Sequence, residues 1–325
     1  MEFKIVPMLV LLVVGFSLFA SGCADTAPDN NSAGQVIETN GDEELIVVAV
    51  SILPQAEFVE KVGGDKVRVV VMIPPGASPA THEPTPGQLR NVSEARMYAA
   101  VGSEIPFEKV WMDKMEAVNS DMLIVDCSEG IELSEIAAHN HDKDAESTEH
   151  EAEHEDDHEA EAHTGMDPHI WTSPVNAKVM VENTYEGLVE IDPENEAYYA
   201  ENRDAYLEEL DSLDARIREK LEGKEGQSFM VFHPAWGYFA AEYGLIMIPI
   251  EIEGKEPSVQ DLARLISEAK EKDVKVIFVQ AQFSTRSSEA IAEEIGGEVV
   301  VVNPLAKDYV SNMDEVSDIF ARNLV

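Results

Sequence analysis

The stretch KVIFVQAQFSTRSSEAIAEEIGGEVVVV, residues 275–302, holds a complete strand–helix–strand unit. Lys275–Gln280 and Glu298–Val302 are short β-branched runs of strand length, and Ser288–Ile295 between them carries a helical pattern. A strand, a helix and a strand in that order build the parallel βαβ unit. The same alternation extends outward. Strand-like runs recur at Leu45–Val50, Val67–Ile73, Met122–Val125 and Phe229–Phe232, with helical patterns at Gln55–Val62, Thr85–Arg96 and Ser258–Lys272. The two sets of strands flank a long helical region. Pro174–Glu190 reads as one helix, broken at Asp192-Pro193. Glu194–Leu221 reads as a second, with Tyr199, Tyr206, Leu210, Leu213 and Ile217 on one apolar stripe. The expected fold is α/β: two lobes with mostly parallel sheets, joined by helix. No internal repeat is evident in the sequence.

The amino terminus sets the compartment. Lys4 precedes an apolar run from Met8 to Ala20, followed by Ala20, Ser21, Gly22 and Cys23. This pattern reads as an export signal over residues 1–22, too short to span a bilayer comfortably. The small residues before Cys23 resemble a lipobox, in which the cysteine is lipidated and becomes the first mature residue, although Ala20 stands where leucine is more frequent. Residues 23–44 are polar and small and read as a flexible tether on that anchor. With Cys23 used by the lipid, Cys127 is the only other cysteine, so an intramolecular disulfide in the mature protein and a cysteine-based metal site are both excluded. The formal net charge of −41 argues against nucleic acid or anionic lipid as partners and favours cations. Adaptation to high salt is the competing reading of that charge.

Histidines are distributed unevenly. Six of the nine (His139, His141, His150, His154, His158 and His163) lie in 138–165, among eleven acidic residues and one lysine. Almost nothing there is large and apolar, so the segment is expected to be disordered without metal and to act as an auxiliary metal-binding loop. The other three are set apart. His82 lies in the loop after the Val67–Ile73 run, His169 in Asp167-Pro168-His169-Ile170-Trp171, and His233 directly after the Phe229–Phe232 run. Carboxyl ends of parallel strands are where open α/β sheets bind ligands. Imidazole and carboxylate suit zinc, nickel or copper.

These motifs resemble the metal-binding family of ABC-transporter substrate-binding proteins, the zinc- and manganese-binding group that includes zinc-uptake proteins. The landmarks are Gly76-Ala77, Glu83-Pro84-Thr85-Pro86, Asp126, Ser128-Glu129-Gly130-Ile131, Asp167-Pro168-His169-Ile170-Trp171, His233-Pro234-Ala235-Trp236-Gly237-Tyr238, Glu256-Pro257-Ser258 and Asn303-Pro304-Leu305. The resemblance implies an N-terminal lobe over residues 45–173, a rigid linker helix over 174–190, a C-terminal lobe over 191–325 and a metal between the lobes. It implies His82, His169, His233 and Asn303 as the ligand set. Two positions depart from the family pattern. Ala80 occupies the usual first-loop histidine position, so His82 is assigned by a two-residue shift, and Asn303 replaces an aspartate. Asp308, Glu251 or water are alternatives for the fourth position.

Three imidazoles and a neutral or water ligand suit Zn2+ better than Mn2+, which prefers more oxygen donors. The function implied is capture of zinc outside the cytoplasm, on the outer face of the cytoplasmic membrane, and delivery to an ABC-transporter permease by a monomer that is not an enzyme. Two alternatives share the features: a zinc-dependent hydrolase or lyase, with Glu83 as the one acid beside a candidate ligand, and a metal-binding surface adhesin on the same fold.

Overall fold

The computed structural model describes residues 45–136, 165–252 and 254–324. The first sheet comprises β1 (Ile46–Val50), β2 (Val67–Val71), β3 (Met97–Ala100) and β4 (Leu123–Asp126), in the order β2-β1-β3-β4 with every pair parallel. Its crossovers contain α1 (Leu53–Gly63), α2 (Pro86–Ser93) and α3 (Pro106–Val118). Two long helices follow, α4 (Pro174–Ile191) and α5 (Glu196–Lys220). The second sheet comprises β5 (Ser228–Val231), β6 (Ile246–Pro249), β7 (Val276–Val279) and β8 (Glu298–Val301), in the order β6-β5-β7-β8 and again parallel throughout. With it run α6 (Gly237–Glu242), α7 (Val259–Glu271), α8 (Arg286–Ile295) and α9 (Tyr309–Asn323).

The α/β class, the two lobes and the long helical connection are therefore as the sequence implied. The two sheets also share one strand order, a duplication of architecture that the sequence does not display. In each sheet the order reverses beside the first strand, between β1 and β3 and between β5 and β7. The carboxyl ends there open the crevice in which α/β folds seat ligands.

Side-chain alternation explains why the central strands of the second sheet are buried on both faces. Phe229 and Val231 of β5, with Val276 and Phe278 of β7, join the core that continues through α5 and α9 into the first lobe. Met230, Ile277 and Val279 point the other way, onto Leu265 and Ala269 of α7 and Ile291 and Ala292 of α8. β3 and β6 escaped the sequence reading for different reasons. β3 reads Met-Tyr-Ala-Ala with no β-branched residue and is a strand because β1 and β4 flank it. β6 is an edge strand ending in Pro249, a residue tolerated only at an edge. The helical pattern Thr85–Arg96 is shorter in the structure, since Arg96 already donates its N–H to Val47 O beside β3.

The helix expected over 174–190 forms as α4, with Ser173 Oγ accepting from Asn176 N at its start. The next helix, α5, makes contacts with elements of both lobes. Its first half meets α1 through Asn202 Nδ2 to Val62 O (3.0 Å), Tyr206 OH to Glu57 Oε1 (2.8 Å) and the Lys61–Glu209 ion pair (2.6 Å). Its second half meets the C-terminal lobe through Arg216 to Asp314 (2.9 Å) and Tyr243 OH to Asp214 (3.0 Å).

Candidate metal centre

Two imidazoles are brought together by elements distant in sequence. β5 ends at Val231, but the ladder runs on: Phe232 N donates to Phe278 O (3.0 Å), and Glu251 N donates to Phe232 O (3.0 Å). This pairing sets Glu251, just past β6, beside His233, just past β5. His233 Nδ1 then lies 2.7 Å from Glu251 Oε1. The ring of Phe283, from the loop after β7, stacks on His233 with centroids 5.0 Å apart.

His169 arrives from the segment before α4. Asp167 N donates to Ser134 O (2.7 Å), and the buried Asp167 carboxylate folds back on its own chain. Its Oδ1 accepts from His169 N (2.9 Å) and lies 2.7 Å from His169 Nδ1. Trp171 meets the His169 ring edge-on at 5.4 Å. Trp171 is fixed in turn by its Nε1 donating to Pro304 O (2.7 Å) and by Tyr309 OH donating to Trp171 O (2.8 Å).

A carboxylate can only accept, so each Nδ1 carries the proton and each Nε2 presents a lone pair. The two Nε2 atoms are 3.2 Å apart, with the rings at 82°. Two bare lone pairs at that distance repel unless a shared proton or a metal ion lies between them. Two nitrogens bound at 2.0–2.1 Å to one tetrahedral ion stand about 3.3–3.4 Å apart, so the pair matches one edge of a zinc tetrahedron. Burial holds the His169 imidazole below the ordinary histidine range, and the nearby His233 adds to this while Asp167 opposes it. A ring kept neutral is a ring ready to bind metal.

The remaining expected residues are placed as follows. His82 lies in the loop between β2 and α2, where His82 N donates to Ser78 O (3.0 Å) and its ring stacks on Phe107 at 6.0 Å. Its Nε2 is buried and has no hydrogen-bond partner. Among the described residues no group of three His, Cys, Asp or Glu side chains is close enough to hold an ion. The pair is thus assembled and His82 stands outside it. Asn303 is exposed; its Oδ1 accepts from Leu305 N (2.9 Å), an Asx turn that presents Pro304 O to Trp171. Asp308 lines a surface depression with Glu57, Glu60 and Lys307. Glu251 is occupied in orienting His233. Cys127 is buried with its thiol pushed up to about 12 by burial, and it packs as an inert filler. Cys23 and the six histidines of the acidic segment lie outside the described residues. Sequence reasoning did not foresee Asp167 as the partner of His169. The two-residue spacing across Pro168 was the available signal, because an aspartate readily bonds the backbone two residues on.

A family model described as the periplasmic zinc-uptake complex component A matches residues 48–323. The chain belongs to that family. Membership makes it an extracytoplasmic zinc-uptake component and not an enzyme, so the hydrolase or lyase alternative falls. The high-affinity zinc uptake system protein ZnuA of Bacillus subtilis (strain 168) is 34% identical over 280 residues, 85% of this chain and 83% of that protein. The zinc-binding lipoprotein AdcA of Streptococcus pneumoniae (strain R6) is 27% identical over 278 residues, 82% of this chain. The chain spans about half, 51%, of that longer protein. A crystal structure of a ZnuA superposes with a TM-score of 0.76 at 39% identity, covering 87% of this chain and 100% of the other. A zinc-bound ZnuA with residues 138–173 deleted gives 0.75, also at 39% identity, covering 86% and 98%. A laminin-binding protein of Streptococcus agalactiae shares the fold alone, at 21% identity and a TM-score of 0.72.

Proposed function

We propose that the chain captures Zn2+ between its lobes and passes it to an ABC-transporter permease, doing no chemistry on the way. The observation that carries this reading is the convergence of His169 and His233, Nε2 to Nε2 at 3.2 Å, each backed by a carboxylate. His82, with its buried and unpartnered Nε2, is the third ligand; a shift of its loop brings it to the pair. The fourth position belongs to Asn303 or to water. The division of the chain into lobes at 45–173 and 191–325, with α4 between them, is part of the same reading. So are lipidation at Cys23, a tether over residues 23–44 and action as a monomer. The His-rich segment gathers metal for the cleft. In support, the relatives named above are zinc-uptake and zinc-binding proteins, and a ZnuA shortened by residues 138–173 is known with zinc bound.

The test is a chelator-competition titration of the mature chain and of the same chain lacking residues 139–163. One tight zinc site should survive the deletion and disappear in His169→Ala. Loss of all zinc binding with the segment would overturn the cleft site.

A further inference from the structure

Asp167 sets the ring of His169, and its position depends on a residue of the other lobe. Gly237 opens α6, four residues beyond His233, and its Cα faces the Asp167 carboxylate. A Cβ placed on Gly237 would lie 2.3 Å from Asp167 Oδ2 and 3.5 Å from Asp167 Cγ, closer to the oxygen than non-bonded atoms allow. Yielding is difficult for Asp167. Its Oδ1 already accepts from His169 N and faces His169 Nδ1, its N–H is spent on Ser134 O, and the residue is 2% exposed. The neighbouring Tyr238 grips the same segment, its OH donating to Asp167 O (3.2 Å) and accepting from Ser134 N (3.0 Å). No unusual backbone angle explains this glycine, since its φ is not positive. Space is the reason for it.

We propose that Gly237 is a positioning residue for metal capture: lacking a Cβ, it lets the Asp167 carboxylate seat against the start of α6 and thereby fixes the His169 imidazole opposite His233. The inference rests on the zinc-site reading above and deepens it. Gly237 touches no metal and acts through Asp167. Displacing the carboxylate frees the His169 ring to rotate and removes the acceptor that holds its proton on Nδ1. Partners of this kind are worth roughly ten- to a hundredfold in metal affinity.

The experiment is a double-mutant cycle on the full chain, read as zinc affinity by competition with a chelator strong enough to strip all but the tight site. Gly237→Ala should weaken binding at least tenfold, as should Asp167→Ala. In the Asp167→Ala background there is no carboxylate to displace, so adding Gly237→Ala should cost less than twofold. Equal losses from Gly237→Ala in both backgrounds would overturn the proposal and leave Gly237 a residue of general helix packing. If Gly237→Ala does not fold, the double variant should fold as well as Asp167→Ala alone; failure of both also overturns it. A parent chain without a tight zinc site refutes the zinc reading itself, whereas a binding parent matched by Gly237→Ala refutes only this inference.

Discussion

Replacing Glu251 separates ligand orientation from ligand identity. The Glu251 side chain is 9% exposed and takes the His233 Nδ1 proton at 2.7 Å, a charge-assisted bond in a mostly dry setting. Hydrogen bonds to charged groups contribute about 1.5–3 kcal/mol. Lost outer-sphere partners of metal-bound histidines cost roughly ten- to a hundredfold in affinity, or about 1.4–2.7 kcal/mol. The two ranges agree. In Glu251→Gln the amide keeps the shape but can turn its NH2 towards Nδ1. The imidazole proton then moves to Nε2, the atom that faces His169. Glu251→Gln is therefore expected to weaken zinc binding about tenfold, and Glu251→Ala, which leaves the ring stacked on Phe283 with no acceptor at Nδ1, further. The assay is chelator competition at pH 7.5, with thermal melts of the metal-free proteins to show that folding is intact. Affinity for Glu251→Gln within twofold of the parent would refute the argument that this carboxylate sets the tautomer of His233.

Other expectations follow from the same geometry. Zinc affinity should fall steeply below about pH 6, where protons compete for imidazoles, and titrations from pH 7.5 to 5 would measure it; a flat profile would exclude histidine ligands. Phe320 meets the rings of Phe229, Phe239 and Phe278 at 4.9, 4.9 and 4.2 Å, so Phe320→Ala should cost about 3–5 kcal/mol in urea unfolding. Burial raises the Glu108 carboxyl above its ordinary 4.5, although Ser51 and the N–H groups of Val101 and Gly102 favour its charge. The folded state thus holds this proton more tightly than the unfolded chain. Its contribution is full below about pH 4.5 and is lost as pH rises through the folded value. Unfolding from pH 4 to 7 should show the parent losing stability relative to Glu108→Gln across that window, and parallel curves would contradict it.

What the sequence determined by itself is local and periodic. The β-branched runs mark β1, β2, β4, β5, β7 and β8, and they are most continuous where a central parallel strand, such as β1 or β7, needs apolar residues on both faces. The stripe from Tyr199 to Ile217 fixes α5, and the Pro-bounded histidine motifs mark the loops that bear His82, His169 and His233. Strand ends attract ligands whatever the fold's details, which is why His233 could be singled out before its neighbours were known. Tertiary structure decided the rest, for reasons of distance along the chain. β3 is a strand only because β1 and β4 enclose it. Glu251 orients His233 because β6 runs beside β5 in register, and Gly237 meets Asp167 across 70 residues because the start of α6 closes on the segment before α4. Pairing two Nε2 atoms at 3.2 Å is a property of those contacts together. No spacing in the sequence encodes it, since the Asp167–His169 segment before α4 and the His233–Glu251 pair at the ends of β5 and β6 are brought within bonding distance only by folding.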